Sequence, residues 1–213
     1  MDFSDSEQQV RLNQQLHLSN PDFGTNDTGL TSRLPAAIEC VSRMVPTSSV
    51  LDYGTGKGFL VDQLRAELPS KFKVDGYDPS VEKWSKPPTS SYDIVTCIDV
   101  LEHIDLQFID RTIFQLNKLA NHFCYVTIDL QPAVKRLKDG RNAHVMLAPS
   151  EWWITRFAQH FSSITCFPIK HRNFTNQKIV ITCTNDIKLV PLTYLFLNKL
   201  NIYGMVMKGG LPG

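Results

Sequence analysis

An apolar run, Val50-Leu51-Asp52-Tyr53, breaks into Gly54-Thr55-Gly56-Lys57-Gly58 and passes at once into the helix-like stretch Phe59–Leu68. Alternate glycines after a strand allow backbone turns and close approaches that side chains forbid, and the helix N-terminus that follows aims its amides at whatever lies against the loop. Strand, glycine loop and helix in this order imply an α/β fold with a ligand site at the strand's carboxyl end. Two phosphate motifs fit poorly. The dinucleotide fingerprint needs a glycine or alanine three positions after its second glycine, where this chain has Phe59, and a P-loop needs Ser or Thr after Gly-Lys, where it has Gly58. Asp52, at the strand end, sits badly against a pyrophosphate and well against a cation.

Phe72-Lys73-Val74-Asp75-Gly76-Tyr77-Asp78 reads as the next strand, ending in an acid twenty positions beyond Gly58. A carboxylate there accepts the ribose hydroxyls of a nucleoside lying across the strand ends. The bland alternative is a turn-forming Asp before Pro79. The Asp52–Gly58 loop resembles motif I of the class I S-adenosylmethionine-dependent methyltransferases, in which it runs beneath the methionine part of the cofactor. The resemblance implies that S-adenosyl-L-methionine is held by Asp52, Gly54, Gly56, Gly58 and Asp78, together with Asp99 discussed below.

From Val50 onward strand and helix patterns alternate: Val50–Tyr53, Phe59–Leu68, Phe72–Tyr77, Tyr92–Ile98, Leu106–Leu119, Phe123–Asp129, Glu151–Phe161, Ile164–Phe167 and Ile179–Thr184. Alternation predicts a doubly wound, mostly parallel sheet with helices on both faces. Only eleven residues, Pro168–Lys178, join the last two strands, too few for a helical crossover, so these form an antiparallel hairpin. The resemblance implies a Rossmann-like sheet of order 3-2-1-4-5-7-6. One departure is predicted. Thirteen residues, Pro79 to Ser91, separate the second strand from that at Tyr92, about half of what a helix and a strand need. The third strand is therefore expected to be missing, leaving 2-1-4-5-7-6. Adenine contacts usual in the family are then in doubt, and Trp84 with the Pro87 region is the candidate cover.

The second constellation is Asp99-Val100-Leu101-Glu102-His103-Ile104. It resembles the run after the fourth strand of many small-molecule methyltransferases. It also resembles the Glu-x-x-Glu-His run of small-RNA terminal 2′-O-methyltransferases, where the acids and the His help to bind a divalent metal. Positions three and four apart share a helical face, so Asp99, Glu102 and His103 are candidate ligands of Mg2+ or Mn2+, against the alternative that they only brace the turn. The stretch Asp129–Ser150 is unusually long for a loop in a compact domain. Gln131–Leu137 reads as a short helix and Lys138-Asp139-Gly140 as a turn. Asp139–His144 then gathers a cation, an amide and an imidazole that should fold over the same mouth. His144 is a candidate fourth metal ligand or, with His103 and Asp99, a catalytic group for a hydroxyl nucleophile. Ser150 reads as the N-cap of the next helix, and one of Trp152 and Trp153 as a wall of the acceptor pocket.

Residues 1–48 are expected to supply N-terminal helices (Glu7–Leu18, Ser32–Met44) and, around Phe23-Gly24, a cofactor lid. Residues 49–186 form the methyltransferase domain and 187–213 a C-terminal extension. In Leu189–Val206 the residues Leu192, Leu195, Phe196, Leu200 and Tyr203 share a helical face. That face either docks on the domain or, second, serves a homodimer or a membrane surface, and Lys208–Gly213 reads as disordered. A net charge of +1 gives no field to attract nucleic acid. Five scattered cysteines without a C-x-x-C pair look like buried thiols of a reducing compartment. With an acidic, polar start and no apolar run near ~20 residues, the expected location is cytoplasmic, without a membrane span.

The reading is an S-adenosylmethionine-dependent methyltransferase acting on a small soluble acceptor, oxygen favoured. The first alternative is a nucleic-acid terminal 2′-O-methyltransferase with a divalent metal, for which Lys135, Arg136, Lys138 and Arg141 are the one dense basic cluster. The second is a non-catalytic module that binds the cofactor.

Overall fold

A computed structural model describes residues 7–24, 31–170 and 177–202. The hairpin tip, Tyr203 and the Lys208–Gly213 end lie outside these. Among the described residues the alternation of the sequence yields one six-stranded sheet: β1 (Ser49–Tyr53), β2 (Lys73–Tyr77), β3 (Tyr92–Ile98), β4 (Ala120–Asp129), β5 (Ser163–Lys170) and β6 (Gln177–Thr184). Their order is 2-1-3-4-6-5. Left to right this is the succession expected for a family sheet that lacks its third strand. Between β2 and β3 the chain makes only a 3-10 turn, Glu82–Trp84. β1 pairs in parallel with β2 (Val50 beside Val74) and β3 (Val50 beside Ile94), whereas β6 runs antiparallel to both β4 and β5.

Six helices are described: α1 (Glu7–Ser19), α2 (Leu34–Ser42), α3 (Phe59–Glu67), α4 (Leu106–Leu119), α5 (Ser150–Ala158) and α6 (Val190–Lys199). β3 is apolar on both faces, and both are covered, as a parallel central strand requires. On one side Ile109, Ile113 and Leu116 of α4 pack with Trp153 and Phe157 of α5; on the other, Leu34 and Ile38 of α2, Leu60 and Leu64 of α3 and Phe196 of α6 form the second core. The C-terminal extension thus docks on its own domain. Phe196 lies edge-on to Phe123 and Tyr125 of β4, with centroids 5.0 and 5.4 Å away. Of the face read from the sequence, Phe196 and Leu200 are buried and Leu192 and Leu195 half-buried, while Tyr194 and Ile187 are exposed.

Two local expectations need correction. Gln131–Leu137 is not helical, because Pro132 and the Asn142 side chain hold it otherwise: Asn142 accepts from the amides of Ala133 and His144 and donates to the Ala133 carbonyl. The loop closes on itself, with Leu137 N–H donating to Arg141 and Ala143 N–H to Lys135. Helix α5 does begin at Ser150, but Pro149 is its N-cap and no side chain caps it.

Candidate active site

The carboxyl ends of β1, β2 and β3 open into one cavity, as expected where the strand order reverses about β1. Its floor is the glycine loop. Gly54, Gly56 and Gly58 all have positive φ, and at Gly54 a Cβ would lie 2.3 Å from Val100. The amides of Gly54 and Thr55 both donate to the Tyr77 carbonyl (2.7 and 3.1 Å), which ties the loop to the end of β2. Gly58 does not line the cavity. It precedes α3, its back against the indole of Trp84. Trp84 is likewise buried beneath the loop, against Gly58 and Gly76, and does not face the cavity as an adenine cover would.

Asp52 and Asp78 both line the cavity. Asp52 is buried and accepts a hydrogen bond from Thr96 (2.8 Å). Burial, against the pull of Thr55 and Thr96 and with help from the Asp78 charge, pushes its pKa up to about 6. Asp78 accepts from the Gly56 amide (2.9 Å) through Oδ2, and from the amide (2.9 Å) and hydroxyl (2.5 Å) of Ser80 through Oδ1.

Asp99 follows β3 directly at a left-handed φ of 54°, a conformation that side chains disfavour, and lines the cavity. Thr127 donates to Oδ1 (2.8 Å), and the Lys178 ammonium of β6 pairs with Oδ2. His103 lines the cavity three residues after Val100, with Nδ1 2.8 Å from the Ala143 carbonyl. That contact makes Nδ1 the protonated nitrogen and leaves Nε2 as an acceptor. Burial, then the neighbouring His144, lowers the His103 pKa to about 4. His144 stands behind it edge to face, centroids 4.8 Å apart, with its own Nδ1 on the Gln131 carbonyl (2.5 Å); it does not line the cavity.

The metal set expected of Asp99, Glu102, His103 and His144 is not assembled. Glu102 is fully buried and turns away from the cavity, accepting from the Asp129 amide (2.9 Å). His144 stands behind His103 and does not line the cavity, and Asp99 is paired with Lys178. Among the described residues no group of three or more His, Cys, Asp or Glu is arranged to hold a metal ion. Trp153 is core and Trp152 packs on it and on Arg156, so neither indole walls the cavity.

The far wall comes from the N-terminal segment. Phe23 and Gly24 line the cavity, Phe23 edge-on to His103 at 5.4 Å. Lys57 of the glycine loop donates to the carbonyls of Asn20 (2.9 Å) and Pro21 (2.5 Å). Gln9, Asn13 and His17 of α1 also line the cavity, a contribution that sequence reasoning missed. Their spacing was the available signal: polar residues at i, i+4 and i+8 share one helical face. α1 runs from the Asp78 end of the cavity, at His17, to its mouth, at Gln9. There Arg141 donates to Gln9 (3.1 Å) and pairs with Asp105 (3.5 Å), which lines the mouth with Ile104 and Phe108. Leu16 packs on Leu137 and Ala143, so the long loop clasps the helix.

Three of the four cations of that loop are turned to intramolecular partners. Arg141 also binds Asp139 (2.8 Å), Arg136 donates to the Gly140 carbonyl (3.0 Å), and Lys135 lies 5.4 Å over the Phe23 ring.

A family model described as a methyltransferase domain matches residues 29–173. No curated protein matches the chain. Among solved structures the fold is similar to magnesium protoporphyrin IX methyltransferase from Synechocystis PCC 6803 with bound SAM: TM-score 0.58 and 15% identity, covering 86% of this chain and 100% of that one. It is also similar to the N-methyltransferase NodS from Bradyrhizobium japonicum WM9 in complex with S-adenosylhomocysteine (TM-score 0.56, 12% identity, 84% and 100%). A third is 1,6-didemethyltoxoflavin-N1-methyltransferase from Burkholderia thailandensis, with its acceptor and S-adenosylhomocysteine bound (TM-score 0.55, 14% identity, 87% and 93%). At these identities the likeness is one of fold. The family model spans the glycine loop, both strand-end acids and the Asp99–His103 turn, and the chain belongs to the methyltransferase-domain family, in the class I fold of S-adenosylmethionine-dependent methyltransferases.

Proposed function

We propose that the cavity holds S-adenosylmethionine beside a small acceptor and that methyl transfer goes to an acceptor oxygen, with His103 receiving the displaced proton. The observation that carries this reading is the convergence of Asp52, Gly54, Gly56, Asp78 and Asp99 with His103 on one cavity. Asp78 takes the ribose, Gly54 and Gly56 let the backbone approach the cofactor, and Asp52 and Asp99 face its ammonium group. The acceptor enters between α1 and the start of α4, past Ile104, Asp105 and Phe108.

Transfer is a displacement at the sulfonium methyl: the new O–CH3 bond forms as the S–CH3 bond breaks, and the pair of that bond stays on sulfur. Alignment supplies much of the rate. A hydroxyl becomes strongly acidic as its oxygen bonds to carbon, so the neutral Nε2 of His103, though a weak base, suffices to take the proton. His144 supports this ring from behind. No step is routed through a metal, whose ligands are not brought together. Engagement of Lys135, Arg136 and Arg141 within the chain favours a small acceptor over a polyanion. The five thiols are free, which suits the cytoplasm; no helix among the described residues is long and apolar enough to cross a membrane. The test is incubation with methyl-labelled cofactor and fractionated cell extract. Label in a small, base-stable ether or a base-labile ester supports the reading, and label on nitrogen, carbon or a polynucleotide contradicts it.

A further inference from the structure

We propose that His17 is a cofactor-contacting residue: its imidazole, carried on α1, shares with Asp78 the ribose hydroxyls of the bound nucleoside. The inference rests on reading this cavity as the S-adenosylmethionine site.

The polar stripe of α1 faces inward, against the usual sense of a surface helix: Gln9 is 5% exposed, and Leu18 81%. Gln9 and Asn13 satisfy each other (3.1 Å), and Gln9 is further engaged by Arg141. His17 stands at the cofactor end of the stripe; its Nδ1 is buried without a hydrogen bond of good geometry, and its polar neighbour in the turn is the Phe23 backbone. The ring is held in place by its neighbours. A Cβ on Gly24 would lie 2.5 Å from its Cε1 and 3.0 Å from Nδ1, and the Phe23 ring lies against it, tilted by 60° at a 4.6 Å centroid distance. With that edge against the turn and the ring lining the cavity, Nε2 is the nitrogen left to meet a ligand.

The chemistry on both sides fits a hydroxyl. Asp78 offers acceptors only, and its Oδ2 carries one hydrogen bond, from Gly56, leaving a lone pair for an O–H donor. A ribose hydroxyl donates once and accepts twice, so it can give its proton to Asp78 and still pair with His17 in either neutral tautomer. Burial lowers the His17 pKa and outweighs the nearby Asp78 charge, which keeps the ring neutral at pH 7. A neutral imidazole beside a carboxylate is therefore in place before the nucleoside arrives, and closing α1 over the loop adds a contact to the ribose as well as to protein.

The test is calorimetric titration of the full chain and of His17→Ala, His17→Gln and Asp78→Asn with S-adenosylhomocysteine and with its 2′,3′-dideoxy form. His17→Ala is expected to weaken S-adenosylhomocysteine about three- to tenfold, the size of one neutral hydrogen bond, and to leave the dideoxy ligand unchanged. His17→Gln, which keeps a donor and an acceptor, should recover most of the loss. No loss in His17→Ala, or an equal loss for both ligands, overturns the proposal, since a packing role would not distinguish them. Asp78→Asn separates the two levels. If it weakens S-adenosylhomocysteine while His17→Ala does not, this proposal alone fails; if neither matters, the cavity assignment fails with it.

Discussion

Gly24 and Gly56 meet backbone to backbone: a Cβ on Gly56 would lie 2.9 Å from the Gly24 carbonyl oxygen and 3.1 Å from its Cα. Both have positive φ, 73° and 55°. The contact joins the N-terminal turn to the floor of the cavity where the Gly56 amide also meets Asp78.

Gly56→Ala should therefore do more than strain one residue. A left-handed alanine costs roughly 1–2 kcal/mol, and the neighbour it strikes is backbone, which cannot swing away. We expect a lower melting temperature, faster protease cleavage near Asn20–Gly24 and at least tenfold weaker S-adenosylhomocysteine binding. Unchanged cleavage would separate the turn from the loop.

The raised pKa of Asp52 makes cofactor binding pH-dependent. The carboxylate form, which faces the ligand's ammonium group, is lost as pH falls through about 6. Affinity for S-adenosylhomocysteine should drop about tenfold per pH unit below that point and level off above it. Asp52→Asn should bind more weakly at pH 7 and show a flatter profile, as should adenosine, which has no ammonium group, on the unaltered protein.

Glu102 gives a stability signature of opposite origin. Burial, then the Asp99 charge, holds its carboxyl well above the ordinary glutamate range, so the folded chain keeps a proton that the unfolded chain releases above about 4.5. Folding takes up that proton. Stability therefore declines as pH rises from the unfolded pKa towards the folded one, at about 1.4 kcal/mol per pH unit for this group. Glu102→Gln cannot ionise and should gain on the parent protein across that window in urea denaturation. A constant difference between the two would contradict the assignment.

Removal of His103 should cost turnover and spare binding. His103→Ala is expected to lower kcat by about 10²–10⁴-fold with S-adenosylhomocysteine affinity within a factor of three. His144→Ala, which withdraws only a supporting ring, should lose less than tenfold. The reverse ranking would make His144 the base.

The fold was legible because its signals are local. The glycine loop, the two strand-end acids and the short Pro79–Ser91 connection each follow from spacing along the chain; the resemblance they carry implied the sheet order, and the short connection implied the missing strand. What the sequence did not reveal depends on pairing across it. Lys178 reaches Asp99 from β6, 79 residues away in sequence, and no local pattern marks that partner. Asp99, Glu102 and His103 share a helical face only if the turn is a full α-helix. In the 3-10 turn Leu101–His103 the geometry is tighter and Glu102 swings into the core. His144 lies against His103 but outside the cavity lining, and the Asn142 hydrogen bond that holds it there belongs to a loop with no repeating pattern to read. Gln9, Asn13 and His17 were readable as a stripe, but a weak polar helix gives no hint that its polar face turns inward.

The account stands or falls on calorimetric titration of the intact protein with S-adenosylhomocysteine. It predicts one molecule bound per chain, with Asp78→Ala, which stays folded at a lower melting temperature because the Gly56 and Ser80 donors lose their acceptor, weakening the affinity at least tenfold. No heat of binding in the parent protein, or full affinity in Asp78→Ala, would contradict it.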